Sequence, residues 1–338
     1  MTQLYEFEDV RKLAAEVVAF LPPKLTLPAI SQSLLRHIDE AALVHIKVDI
    51  YAICNALLVH GKAAHPFVID LVPAILSLLK LPIPSSSTGS LEVQKLQHAC
   101  IDFLALVTLT ARQPALREGA DLLPLLLHFV CTGRASRGLE ALSSSSSSRA
   151  NARLEVGEEQ GAAVEEQLSP SFRICAINVL ITLAKGIGLS VLQALGAWLI
   201  PQLLVSYFAV SGTGSTSHEF GLHFLRAAHL QLLFTIAYQL KGEFRGEGKE
   251  LLAAAVHALQ DPAPEVVRMA GMKLLGAVLS SPDAEELFLT VPTVFYQVQA
   301  GLRTLAQGDP SAEARQLADQ LLSVAFAFSP PAPTPTRP

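Results

Sequence analysis

The stretch Ala258-Leu259-Gln260-Asp261-Pro262-Ala263-Pro264-Glu265-Val266-Val267-Arg268-Met269-Ala270-Gly271 decides the fold. An apolar run stops at a carboxylate followed by proline, and a second periodic run begins just after. The carboxylate can accept from the first free backbone N–H groups of a helix. Proline suits the first helical position, where its missing N–H costs nothing. The stretch therefore predicts a helix over 248–260, a tight turn, and a helix over 263–281. Val267, Ala270, Leu274, Ala277 and Val278 form a stripe at three- and four-residue steps, the period of one helix face. Asp309-Pro310 repeats the punctuation before Ala314, Leu317, Ala318, Leu321, Val324, Ala325 and Phe328. Ser281-Pro282 and Ser169-Pro170 place a hydroxyl in the same role. Thr216 with Glu219 reads as a capping box, and Gly61 as a helix stop.

Working outward, nearly the whole chain reads as helices in pairs. The pairs are 26–38 with 41–60, 66–80 with 91–111, 120–132 with 170–186, 190–208 with 217–240, 248–260 with 263–281, and 287–307 with 310–327. A lone helix at 6–21 precedes them and reads as the second half of a pair. On that reading the chain is expected to be a subunit or terminal segment of something larger. The second helices share one column: Lys47, Gln97, Arg173, Arg226, Arg268 and Arg315. Leaving out one long insertion, the column recurs every 40–50 residues or so, the period of stacked helical pairs.

On these residues, Ala258 to Gly276 resembles a HEAT repeat, and Asp309 to Leu322 is similar. One extra residue lies between Glu265 and Arg268, and Ser323 stands where the family has glycine. The resemblance implies an all-α fold, an α-solenoid of about six antiparallel helix pairs wound as a HEAT/ARM-like superhelix. It also implies that the loop Asp and helix Arg tie neighbouring repeats together, which gives structural roles to Asp261, Arg268, Asp309 and Arg315. Arg173 and Arg226 occupy the same column.

The domain reading follows. Residues 1–132 and 169–328 are helical repeats. Residues 133–168 hold the run Ser143 to Ser148 and the acidic stretch Glu155 to Glu166, with four arginines against six glutamates, and read as a flexible insertion. Residues 329–338 carry five prolines and read as a disordered tail. Pro335 and Pro338 make a minimal PxxP pattern there.

Composition agrees. The 338 residues are 51% hydrophobic but 16% charged, so much of the chain must be buried. Mean hydropathy is +0.40, and a solenoid explains how so apolar a chain stays soluble. Net charge is −5 and no cluster of five basic residues exists, so nucleic acid is not an expected partner. Cys54, Cys100, Cys131 and Cys175 lie far apart in apolar runs, which reads as reduced, buried thiols. Met1 to Asp9 has no basic segment before an apolar one, so no secretory signal is expected. The compartment read from this is cytoplasmic, or also nuclear. Ile187 to Val210 carries no charge over 24 residues and offers a membrane-associated alternative. Pro201 and the repeat register favour a core helix there instead, so no membrane span is expected.

Catalytic constellations are not found. Gly212-x-Gly214 lacks the third glycine and the later acidic residue of a dinucleotide fingerprint. The pairs His98-x-Cys100 and His128-x2-Cys131 fall short of four metal ligands. His229 lies on an apolar stripe and reads as a hydrogen-bonded core histidine. No catalytic, cofactor-binding or metal residue is assigned, no small-molecule substrate is expected, and the enzyme class is the least supported. The functional expectation is a protein-interaction scaffold or adaptor subunit of a larger complex. An assembly co-chaperone and a nuclear transport receptor fragment are alternatives within that class.

Overall fold

The structure, a computed structural model, describes residues 2–81, 87–111, 119–132, 169–186, 189–212, 221–241, 244, 246–262 and 265–328. Among them every regular element is helical. The insertion 133–168, the tail 329–338 and the Thr216–Glu219 capping box lie outside the described residues. The chain divides into two compact units, Met1–Thr182 and Leu183–Pro338. The division falls inside a helix rather than at the insertion.

The first unit contains α1 (Thr2–Ala19), α2 (Pro23–Asp39), α3 (Leu43–His60), α4 (Val72–Leu79), α5 (Ser87–Ala111), α6 (Gly119–Thr132) and most of α7 (Pro170–Gly186). Helix α2 packs on α3 and α4 on α5, while α1, α3 and α5 lie side by side. Phe129 of α6 meets Phe172 of α7 edge to face, at 5.3 Å between centroids. The core stripe of α3 is Ile46, Ile50, Ile53 and Leu57, each at most 1% exposed. Helix α3 stops at Gly61, whose φ of 52° is the left-handed region that glycine enters without a Cβ penalty. Ser169 caps α7, accepting from the Phe172 N–H at 3.3 Å.

The second unit contains α8 (Leu189–Gly212), α9 (Leu222–Leu240), α10 (Gly248–Leu259), α11 (Glu265–Leu279), α12 (Ala284–Thr290), α13 (Pro292–Gly308) and α14 (Ala312–Ala327). Helices α8, α10 and α13 form one layer, and α9, α11 and α14 the other. Each helix packs on its own partner and on the next helix of its layer, so neighbouring pairs bury each other's apolar stripes. The layers close tightly where side chains are small. A Cβ added at Gly271 would lie 2.5 Å from Ala258 Cβ. Gly271→Ala is therefore expected to destabilise by about 1 kcal/mol or more. The overpacking of about 1–3 kcal/mol outweighs the helix propensity gained, as urea denaturation of the two proteins would measure.

Three expected details are corrected. The segment 66–80 is not one helix: short 3-10 turns at His65–Phe67 and Ile69–Leu71 precede α4. The segment 287–307 breaks at Val291, which leaves the helical region (φ −135°, ψ 68°), a region that the ring of the following Pro292 disfavours. Asp309 is not the N-cap of the last helix. Ser311 is, its hydroxyl accepting from the Ala314 N–H at 3.3 Å, and Pro310 lies outside the helix.

Residues 187–210 largely enter α8. Its Leu192, Leu199, Ile200, Leu203, Leu204 and Tyr207 are buried. Ser206 Oγ lies 2.9 Å from His229 Nε2, and His229 Nδ1 lies 2.8 Å from the Leu225 carbonyl. A ring nitrogen facing a carbonyl must carry the proton, so Nδ1 donates to Leu225 and Nε2 faces the Ser206 hydroxyl. Among the described residues one segment, Leu43–Ala63, is long and apolar enough to cross a membrane by length and composition.

Candidate functional site

The column residues come first, since the sequence singled them out. Arg226 is bidentate on Asp261, with Nε–Oδ2 at 2.9 Å and an Nη2–Oδ1 contact at 3.1 Å. Arg268 binds Asp309 at 2.6 Å and also reaches the Asp261 carbonyl at 3.3 Å. Arg315 donates to the Asp309 carbonyl at 2.6 Å and to the Pro310 carbonyl at 3.1 Å. Arg173 donates to the Val130 carbonyl at 2.6 Å. Gln97 donates to the Leu79 and Leu81 carbonyls, and Lys47 pairs with Glu92 at 3.5 Å. Gln97, Arg173, Arg268 and Arg315 thus each reach carbonyls at or near the end of the first helix of their own pair. Of these, the Leu79 and Val130 carbonyls are among those a helix leaves without intrahelical partners. Lys47, Arg226 and Arg268 each reach a carboxylate on the following pair. The Asp309 carboxyl is buried, which opposes its ionisation. The Arg268 guanidinium and the Ser311 N–H outweigh this and hold it below the usual carboxylate range.

The first unit carries a groove of about 580 Å³. Lys12, Lys47, Lys95 and His98 line it with Tyr51 and Phe172. Glu92 stands beside the groove, 3.0 Å from Lys95. Its burial opposes ionisation, but hydrogen bonds and charge from Lys95 and Lys47 draw its carboxyl below the ordinary value.

At one wall His98, Asp102 and Cys175 bring donor atoms of three kinds within 4.8 Å of one another. His98 and Asp102 are one turn apart on α5, with Nδ1–Oδ2 at 3.4 Å, and Cys175 comes from α7. The sequence pairing of His98 with Cys100 misses this. Cys100 is fully buried in the core, while Cys175 arrives from 77 positions away. Tertiary packing alone creates the cluster. Phe172 meets the His98 ring edge to face at 6.0 Å. Cys175 is pushed up to about 11, by burial first and then by the Asp102 charge and hydrogen bond. His98 is raised by its Asp102 hydrogen bond, against the opposing effect of burial. The carboxylate therefore stabilises the protonated thiol. That is the reverse of a cysteine nucleophile, which needs a cationic neighbour to form thiolate. Cys131 is likewise pushed up to about 11 by burial. Cys131 and Cys175 are half-buried rather than buried, unlike Cys54 and Cys100.

The third feature is apolar. On α1, Val10, Leu13 and Val17 fall on one face, and Phe20 extends it just past the helix end. Their exposures are 63%, 61%, 60% and 73%. The opposite face buries Ala15 and Ala19, and the helix packs on α3.

No known protein family matches the sequence, and no curated protein matches it either. Two solved structures resemble the fold across 95% of this chain. They are Kap121p (TM-score 0.55, 17% identity) and a multiply substituted Kap121p (TM-score 0.56, 17% identity). The fold is an ARM/HEAT-type α-solenoid. The chain spans about 30% of the length of each Kap121p chain it resembles. Kap121p is a HEAT-repeat karyopherin, and at this identity the likeness speaks for the fold alone.

Proposed function

We propose that this chain is a non-enzymatic interaction scaffold, an adaptor subunit that binds other proteins on its solenoid surfaces. The observation that carries the reading is the exposed face Val10, Leu13, Val17 and Phe20 on α1. A contiguous apolar patch on a soluble surface marks a binding site. The spacing suits an amphipathic helix of a partner, laid alongside α1 as α3 is on the opposite side. Burying each such side chain is worth about 1.5–3 kcal/mol, so four together can outweigh part of the entropy lost on association. The other end of the chain is better covered. Arg303 lies over Phe326 at 5.3 Å, and Phe328 lies 6.1 Å from Phe288. The column ladder has a structural role in this proposal: Asp261, Arg268, Asp309, Arg315, Arg173 and Arg226 hold the repeats in register so that the outer surfaces stay rigid.

The test is cross-linking mass spectrometry from cell extract, comparing the natural chain with a Leu13→Ser, Val17→Ser, Phe20→Ser variant of unchanged helicity. Cross-links from α1 to a partner are expected, and their loss in the variant. A monomer in sedimentation that yields no partner, or partners unaffected by the variant, overturns the reading.

A second reading is a segment of a nuclear transport receptor, favoured by the fold likeness to Kap121p. On that reading the chain works in the cytoplasm and the nucleus. Purified fluorescent chain would enter nuclei of permeabilised cells without added receptors. Exclusion from those nuclei removes this reading and leaves the scaffold standing.

A further inference from the structure

The cluster beside the groove gathers donor atoms that are also metal ligands. One imidazole nitrogen, one carboxylate oxygen and one thiol sulfur converge from two helices. We propose that His98, Asp102 and Cys175 form a binding site for a divalent transition-metal ion of the zinc class, held by one nitrogen, one oxygen and one sulfur.

The donor set fits the ion. Zinc takes nitrogen, sulfur and carboxylate oxygen at about 2.0–2.3 Å, which puts tetrahedral ligands about 3.3–3.8 Å apart. His98 Nδ1 and Asp102 Oδ2 already lie 3.4 Å apart. The full set spans no more than 4.8 Å, so side-chain rotation by about 1 Å closes it around an ion. The i, i+4 spacing of His98 and Asp102 stacks both donors on one face of α5. Thiolate and carboxylate together would neutralise a dication. Softness selects among metals: sulfur and imidazole favour zinc and cobalt over calcium or magnesium, which want oxygen only.

The architecture also fits. Phe172 of α7 packs on Phe129 of α6 and against the His98 ring of α5, which sets α7 beside α5. His98 and Asp102 line the groove, and three protein ligands would leave a tetrahedral ion one further coordination position. Water would fill that position, or a donor from a bound partner. Cys54 and Cys100 are sealed in the core and cannot compete for the ion. Cys131 lies on α6 and is not among these three donors, which makes it the control.

The experiment titrates Co²⁺ into the full chain after chelator treatment and dialysis, with the thiols reduced. One equivalent is expected to give a thiolate-to-cobalt charge-transfer band with the visible bands of a tetrahedral ion, displaced by Zn²⁺. Cys175→Ser is expected to abolish the charge-transfer band. His98→Ala and Asp102→Ala should each weaken Co²⁺ binding by at least tenfold, and Cys131→Ser should leave it unchanged. Circular dichroism establishes that each variant is folded. The proposal is overturned if no stoichiometric cobalt spectrum develops, or if folded Cys175→Ser keeps the band. Loss of the band in Cys131→Ser would overturn it too.

Discussion

Arg268→Met is expected to destabilise the second unit by about 3–5 kcal/mol, because it strands a buried carboxylate. The Asp309 side chain is 1% exposed and Arg268 only 12%, with 2.6 Å between them. Methionine keeps most of the volume but leaves the Asp309 carboxylate with the Ser311 N–H and only the weaker charge of Arg315. Urea denaturation of both proteins measures the loss. The double variant Arg268→Met with Asp309→Leu should recover at least half of it, since removing both charges is far cheaper than removing one. A loss below about 1 kcal/mol would place the pair with exposed ion pairs and refute a stabilising ladder. The same contact sets an acid dependence. Folding lowers the Asp309 value, so its contribution is complete above the ordinary carboxylate value of about 4. It is lost as pH falls through the lower folded value. Arg268→Met should flatten that part of the stability–pH curve.

Phe129→Ala is expected to cost about 3–5 kcal/mol in the first unit. The ring is wholly buried on α6 and meets Phe172 of α7 edge to face at 5.3 Å. Removing it leaves a cavity between the two helices and deprives Phe172 of its aromatic partner. Phe129→Leu keeps most of the volume and should cost much less. The measurement is the urea midpoint at constant slope, followed by a probe within the first unit. A loss under 1 kcal/mol for Phe129→Ala would mean that α6 and α7 do not share a packed core.

Much of the architecture was legible because a helix writes its buried face at a fixed period. Ile46, Ile50, Ile53 and Leu57 gave the core of α3, and Ala314, Ala318, Leu321 and Ala325 that of α14. The same stripe also misled: Val324 fits the spacing and is 45% exposed, because spacing defines a face but not its width. Proline was the less readable signal. Pro28, Pro124 and Pro201 sit inside α2, α6 and α8, while Val291-Pro292 separates α12 from α13. Each proline removes the same N–H and adds the same ring, so local chemistry cannot say which one ends a helix. Packing around it decides.

The candidate sites divide along the same line. Periodicity alone marked the helical stripes and the column running from Lys47 to Arg315, since both are properties of spacing along one chain. Although the HEAT resemblance implied ties between loop Asp and helix Arg, only the folded structure decided that Asp309 meets Arg268 while Ser311 caps the last helix. It alone decided that Cys175, not Cys100, stands beside His98. Those outcomes depend on which helices become neighbours, and contacts across 41 or 77 positions leave no local trace in the order of residues.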